Sequence, residues 1–435
     1  MHEFDKLLLE GSPTIDVAKV HALFTDDMLD GAADAMTKTK PEARKFIEPF
    51  LKPLFHVTNS GHDVHYDYRN GMRILIKPAF DVELRLFDAR NRSRPVTVAK
   101  LEMGKTYYYE APYKYFVPWE VTIGDLYIPF DLWGKDVLIS YRAPTVGDAM
   151  YWLAHVNEFK EMTGCKLTVA ATNAAIALYQ KIYPDINWVT HEYALENHDH
   201  WQAIYRLGVF AQANSPYQVI GYRQNNLITH AQMILGIPLR LSPPDLTSLN
   251  LQPTADLPKD YIVIAPQGSG AKKTWSMPYW QELCDVLVSR GINVVAVGDG
   301  PIPTGIINRS GRHPLETTLS IIKYAKAFIG GPSGCYAMAW FVDTPRVIIS
   351  GFTNATVEAP TPYRAYPVQG CMDCWGCLYA PLTKTDLDCP HAELPPDSPG
   401  EVVRPLQAHE CLLNVTPLMV LNQLKQLYID KEYPW

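Results

Sequence analysis

The rhythm of apolar and polar positions changes along the chain. Up to about Phe55 the residues read as helical with polar faces, and Glu42-Ala-Arg-Lys-Phe-Ile-Glu-Pro-Phe-Leu is the clearest amphipathic stretch. A helical N-terminal segment is therefore expected over residues 1–70. From Arg73 to Leu132 the period shortens. Gly71-Met-Arg-Ile-Leu-Ile-Lys, Val82-Glu-Leu-Arg-Leu-Phe, Thr97-Val-Ala-Lys-Leu, Lys105-Thr-Tyr-Tyr-Tyr and Trp119-Glu-Val-Thr-Ile are short near-alternating runs between turn residues. That spacing predicts a small antiparallel β-barrel or sandwich over 71–133.

A third pattern begins at Asp136-Val-Leu-Ile-Ser, a continuous apolar run of strand length. It leads into the turn Pro144-Thr-Val-Gly-Asp, a helix over Ala149–Thr163 and a strand over Lys166–Ala170. Strand, helix and strand in this order predict a parallel sheet, giving a Rossmann-like domain over 134–245. Pro244–Lys259 is rich in Pro, Ser, Thr and Asp and reads as a linker between domains. A second α/β half follows over 260–435. Strand Tyr261–Ala265 precedes the loop Gln267-Gly-Ser-Gly-Ala-Lys-Lys, helix Pro278–Arg290 and strand Asn293–Val297. Strand Ala327–Ile329 precedes Gly330-Gly-Pro-Ser-Gly, a helix through Phe341 and strand Arg346–Ser350. The expected fold class is α/β, with two Rossmann-like domains facing a cleft where open sheets bind their ligands.

Composition narrows the class of function. The chain has 435 residues, 47% hydrophobic and 20% charged, which suits two or three packed domains. A net charge of −7 argues against a general nucleic-acid binder. The apolar runs Tyr261–Ala265 and Val294–Val297 are far too short to span a membrane. Met1–Gly11 lacks the basic start and apolar core of a secretory signal, so a soluble cytoplasmic protein is expected.

The eight cysteines are unevenly placed. Cys165, Cys284 and Cys335 lie singly in apolar segments, as buried inert thiols do. The other five fall between Cys371 and Cys411. Cys371-Met-Asp-Cys374 wraps two thiolates around one ion through a tight turn, and Cys389 and Cys411 complete a tetrahedron. Cys374-Trp-Gly-Cys377 is also a CxxC, which makes Cys377 a fifth candidate. Iron and zinc both accept four sulfurs. The competing interpretation, free thiols with a redox CxxC, fits poorly because such motifs usually open a helix and this one sits among Gly and Pro. The region 360–415 has little regular apolar pattern, so a metal would supply folding energy and act as a structural brace.

Asp148 ends the Thr145-Val-Gly-Asp turn at the carboxyl end of the first parallel strand, where a carboxylate is placed to act as general base. A plain helix-capping role is the alternative. The Gln267–Trp275 loop offers backbone N–H groups for a diphosphate, with Lys272 or Lys273 to neutralise its charge. Gly331, Ser333 and Gly334 form a second such turn, facing a helix dipole. Among the aromatics, Trp275, Phe352 and Trp375 are candidates to stack on a base or sugar, whereas Trp280 and Trp340 read as core residues on helices.

Taken together, these motifs resemble the autotransporter heptosyltransferases. The resemblance rests on Asp136–Trp152, Gln267–Trp280, Gly331-Pro-Ser-Gly-Cys-Tyr-Ala-Met-Ala-Trp, Ile349-Ser-Gly-Phe-Thr-Asn, Cys371-Met-Asp-Cys-Trp and the segment from Lys105 to Val121. It implies a GT-B fold with an N-terminal β-barrel, and iron held by Cys371, Cys374, Cys389 and Cys411, with zinc as the alternative and Cys377 as a spare thiol. It also implies a homo-oligomer, a dodecamer in that family. The implied reaction is inverting transfer of heptose from ADP-heptose to serine hydroxyls of an autotransporter adhesin passenger domain. Asp148 would be the general base and Lys273 the phosphate partner. Thr145, Gln267, Trp275, Gly331, Ser333 and Gly334 would lie on the donor side. One departure is Pro144, where the family usually has Gly. The alternatives are a lipopolysaccharide-type glycosyltransferase of the same fold and a non-catalytic adhesin-binding scaffold.

Overall fold

The computed structural model describes residues 55–57, 61–197, 200–209, 215–219, 225–268, 273–311, 313–355, 364–370, 372 and 410–429. Alternation of buried and open side chains yields eight short strands at the start of this range. They are β1 (Phe55–His56), β2 (Asp63–Asp67), β3 (Arg73–Lys77), β4 (Val82–Asp88), β5 (Thr97–Leu101), β6 (Tyr107–Glu110), β7 (Trp119–Ile123) and β8 (Leu126–Ile128). In β7, Trp119, Val121 and Ile123 are buried while Glu120 and Thr122 stay half-open, as a strand with one covered face requires. Gly124 opens the two-residue turn between β7 and β8 at φ +56°, a backbone conformation open to glycine at little cost.

These strands form two separate antiparallel sheets, ordered β1-β2-β3-β6 and β5-β4-β7-β8. The expected barrel is therefore not closed among the described residues. β3 pairs with β6 while β4, the next strand in sequence, pairs with β5 and β7, so the chain changes sheet at the Pro78–Asp81 turn. The antiparallel region also starts earlier than residue 71. β1 and β2 lie inside the stretch read as helical, and β2 pairs along its whole length with β3. That pairing places Asp67 opposite Arg73, where the buried guanidinium donates to both carboxylate oxygens at 2.7 and 2.5 Å.

The parallel pattern then sets in as β9 (Asp136–Tyr141), α1 (Val146–Trp152), α2 (Val156–Thr163), β10 (Lys166–Ala170), α3 (Asn173–Ile182), β11 (Asn187–Val189), α4 (His191–Glu196), β12 (Ala203–Leu207) and α5 (Leu227–Leu235). The sheet order is β11-β10-β9-β12, with β9 and β10 parallel. Side chains of Thr172, Thr190 and Asn226 cap α3, α4 and α5, satisfying N–H groups that a helix start leaves open.

The remaining elements are β13 (Ile262–Ala265), α6 (Met277–Ser289), β14 (Val294–Ala296), β15 (Ile307–Asn308), α7 (Leu315–Lys323), β16 (Ala327–Gly330), α8 (Gly334–Phe341), β17 (Arg346–Ser350), β18 (Ala365–Gln369), α9 (Glu410–Leu413) and α10 (Pro417–Ile429). Six parallel strands run in the order β15-β14-β13-β16-β17-β18. Counted from β13, this is the 3-2-1-4-5-6 order of a dinucleotide-binding sheet. One apolar core, with Trp275, Trp280 and Leu424, and another, with Ile321, Tyr336 and Ala339, bury the sheet's side chains.

By their contacts the residues fall into two units. One comprises Met1–Ser140, Lys160–Ala171 and Val189–Gln218, and the other Tyr141–Phe159, Thr172–Trp188 and Val219–Trp435. Helices α1 and α3 belong to the same unit as the six-stranded sheet, and Tyr179 of α3 meets Phe341 of α8 edge-on at 5.9 Å. The Pro244–Lys259 stretch is packed rather than free-running: the Tyr324 hydroxyl donates to the Leu251 carbonyl at 2.9 Å. No helix among the described residues is long and apolar enough to cross a membrane.

Candidate active site

The six-stranded order fixes where a ligand belongs. The strand sequence reverses direction between β13 and β16, and open α/β sheets bind ligands beyond the carboxyl ends of the strands at that point. β13 ends in the Gln267 loop and β16 in the Gly331–Gly334 turn, so both loops singled out from sequence leave the sheet side by side. Their backbones touch. A methyl group on Gly331 would lie 2.7 Å from the Lys273 carbonyl oxygen, and one on Gly268 would lie 2.5 Å from Lys273 Cβ. Lys273 thus packs against Gly268 of its own loop and against Gly331 of the other. Gln267 is tied by its side-chain amide, which donates to the Pro301 carbonyl at 3.2 Å. Ser269 to Lys272 lie outside the described residues.

Ser333 caps α8, its hydroxyl accepting from the Tyr336 N–H at 3.4 Å. The cap leaves the N–H groups of Gly334 and Cys335 without partners in their own helix, as the first turn of any helix does. Gly334 is exposed, and with no side chain it lets a ligand approach the backbone closely.

Asp148 reaches the same place from another element. It sits in the first turn of α1, after the Thr145 N-cap, and the Thr145 hydroxyl donates to its Oδ2 at 2.5 Å. The neighbouring Gly147 is buried against α8. A methyl there would lie 2.6 Å from Gly334 Cα, so the first turns of α1 and α8 meet backbone to backbone. Asp148 is consequently one residue away from a contact with the Gly331–Gly334 turn. The carboxylate also acts on Tyr141, at the end of β9: burial raises the phenol's pKa, and the Asp148 charge raises it further.

Two predicted roles look different in place. Trp275 is 2% exposed, donates its indole N–H to the Val415 carbonyl at 2.8 Å and meets Trp280 edge-on at 4.9 Å. Its ring supports the loop from beneath and has no face open to a base or sugar. Phe352 is buried as well. Trp280 and Trp340 are core residues, as their helical positions suggested.

Cys371, Cys374, Cys377 and Cys389 lie outside the described residues, as does Trp375. Cys411 is described: it is buried on α9, its Sγ 2.5 Å from where a methyl on Gly351 would sit, and its carbonyl packs against Gly370. Gly370 immediately precedes Cys371 in the chain, so Cys411 lies at the entrance to the CxxC segment. Of the four cysteines expected to hold a metal, Cys411 is the one among the described residues. Cys335, at the start of α8, is pushed up to about 11 by burial and the nearby Asp299 charge, which keeps its thiol protonated and unreactive.

A doubly wound sheet with two glycine turns at its switch point and a carboxylate-bearing turn beside them suits an enzyme that binds a nucleotide, and the comparisons with known proteins make that enzyme a glycosyltransferase. Residues 223–374 match glycosyltransferase family 9 (heptosyltransferase). The inactive autotransporter heptosyltransferase BimC of Burkholderia thailandensis is 30% identical over 410 residues, covering 88% of this chain and 92% of BimC. The autotransporter heptosyltransferase Aah of Escherichia coli is 28% identical, covering 79% of this chain and 90% of Aah. The crystal structure of iron-containing dodecameric glycosyltransferase TibC from enterotoxigenic E. coli H10407 shares the fold, with a TM-score of 0.70 at 24% identity over 87% of this chain and 98% of TibC. TibC has also been crystallised with ADP-D-β-D-heptose. The chain belongs to the autotransporter heptosyltransferase family.

Proposed function

We propose that this chain transfers heptose from ADP-heptose to serine hydroxyls of an autotransporter adhesin passenger domain in the cytoplasm, with inversion at the anomeric carbon. The observation that carries this reading is the contact of Gly147 with Gly334, which brings the Asp148 turn to the donor-side helix start. Asp148 takes the proton of the acceptor hydroxyl as its oxygen bonds to the anomeric carbon. The bond from that carbon to the diphosphate breaks, and its electron pair leaves on the phosphate oxygen. Thr145 fixes one carboxylate oxygen of Asp148 and leaves the other for the acceptor. Base assistance of this kind contributes ~10²–10⁴-fold. Lys273 and the N–H groups of Gly334 and Cys335 balance the departing charge, in a cradle shaped by Gln267, Gly331 and Ser333. Trp275 acts as the prop of that cradle.

Cys371, Cys374, Cys389 and Cys411 would hold iron, or zinc in its place, as a structural brace. The metal supplies folding energy and takes no part in the transfer. TibC is dodecameric, and a homo-oligomer is the corresponding proposal for this chain.

BimC is an inactive autotransporter heptosyltransferase, which favours a second reading, a scaffold that binds the adhesin without modifying it. One experiment separates the two. Purified protein is incubated with ADP-heptose and a passenger fragment, and the fragment is weighed by intact-mass spectrometry. Heptose added to the fragment supports transfer. Stable binding of the fragment with no added mass supports the scaffold.

A further inference from the structure

Where the edge strand β1 pairs with β2, far along the sequence from the cysteine cluster, three side chains converge that the transfer reaction does not use. β1 is only two residues long, and its His56 lies directly opposite His65 of β2. Side chains of an antiparallel pair share a face, and Asp63, two residues before His65, points to that same face by the strand's period. The two imidazoles stack with centroids 4.6 Å apart. Asp63 Oδ1 lies 3.3 Å from His56 Nε2 and 3.1 Å from His65 Nε2, and all three ligand atoms fall within 4.8 Å of one another.

We infer that His56, Asp63 and His65 form a binding site for a divalent first-row metal ion, with zinc as the natural occupant class. Four ligands at zinc distances of about 2.0–2.1 Å are separated from each other by about 3.3 Å at a tetrahedral centre. The carboxylate already stands at that separation from both imidazole nitrogens. Two imidazoles and one carboxylate are a borderline donor set that suits zinc, nickel or copper and disfavours calcium and magnesium. Three protein ligands leave a fourth position for water or for a group on another molecule. His56 and Asp63 are exposed, so an ion can enter without unfolding. Bound metal would pin the two-residue β1 onto β2 and so protect an edge strand that few hydrogen bonds hold.

The test is isothermal titration of the full chain, its cysteine-held metal in place, with zinc chloride. Wild-type protein takes up one equivalent at this site. The His56→Ala/His65→Ala double variant loses that equivalent, and Asp63→Asn weakens it by at least about 10-fold. Cobalt at the same site shows visible d–d bands without thiolate-to-metal charge transfer, which separates it from the cysteine cluster. Circular dichroism of the variants without added zinc checks that they fold like wild type, and Asp63→Asn, which keeps the side-chain shape, serves if the double variant does not. Absence of an additional equivalent in wild type, or its persistence in the folded variants, overturns the site.

Discussion

At the scale of single residues, Gly147 carries more of the site than its lack of chemistry suggests. It has ordinary helical geometry, so its requirement is spatial: a side chain at this position meets the Gly334 backbone. Gly147→Ala is expected to cost about 1–3 kcal/mol as the two turns are forced apart, measurable by urea denaturation. Because the same shift moves Asp148 relative to α8, transfer should fall by more than the stability loss explains. In the sequence, Gly147 is merely one residue of Thr-Val-Gly-Asp. Asp148 stands out in the sequence as a candidate through the family resemblance, since its spacing alone suits a helix cap equally well, whereas a backbone contact between turns almost two hundred residues apart leaves no local trace. Trp275 shows the opposite failure: an aromatic in a ligand-binding loop reads as a stacking surface until its indole N–H is found on the Val415 carbonyl.

At the scale of elements, the parallel strands were readable because residues such as Ile262–Ala265 and Arg346–Ser350 are buried on both faces and give continuous apolar runs. β15, with two residues, and β18, with Pro367 inside it, carry too little pattern to be seen, although they complete the sheet order that locates the ligand. β1 and β2 escaped because Asp63-Val-His-Tyr-Asp is polar in composition and β1 is only two residues long, so neither carries a clear apolar alternation. Helix α5 contributes a pH-sensitive element. His230 is wholly buried there beside Trp152, and burial lowers its pKa to about 4. The unfolded chain takes up this proton below its ordinary value of 6.5, while the folded protein refuses it until near 4. Stability should therefore be intact above pH 6.5 and decline as pH falls toward 4, by ~2 kcal/mol between 6.5 and about 5. Denaturation curves of His230→Phe should lack this share of the pH slope if the variant folds.

At the scale of the whole molecule, the helix carrying Cys411 is tied to the loop proposed to hold the donor. Cys411 on α9 is followed by Val415, whose carbonyl holds Trp275 beneath the loop that ends at Lys273. If the four cysteines hold a metal as proposed, removing it should first loosen the segment from Cys411 to Ile429, seen as faster amide hydrogen exchange there, and lower the melting temperature by several degrees. Loss of donor affinity should follow through Trp275. Cys389→Ser is expected to do the same, and metal-free protein with unchanged exchange and melting would show that the cluster is not a brace. The most direct test of the central claim is transfer by Asp148→Ala, measured in a single turnover alongside its affinity for ADP. Transfer should drop ~10²–10⁴-fold while ADP binding stays within a few-fold of wild type. An Asp148→Ala protein that glycosylates the passenger fragment at the wild-type rate would contradict it.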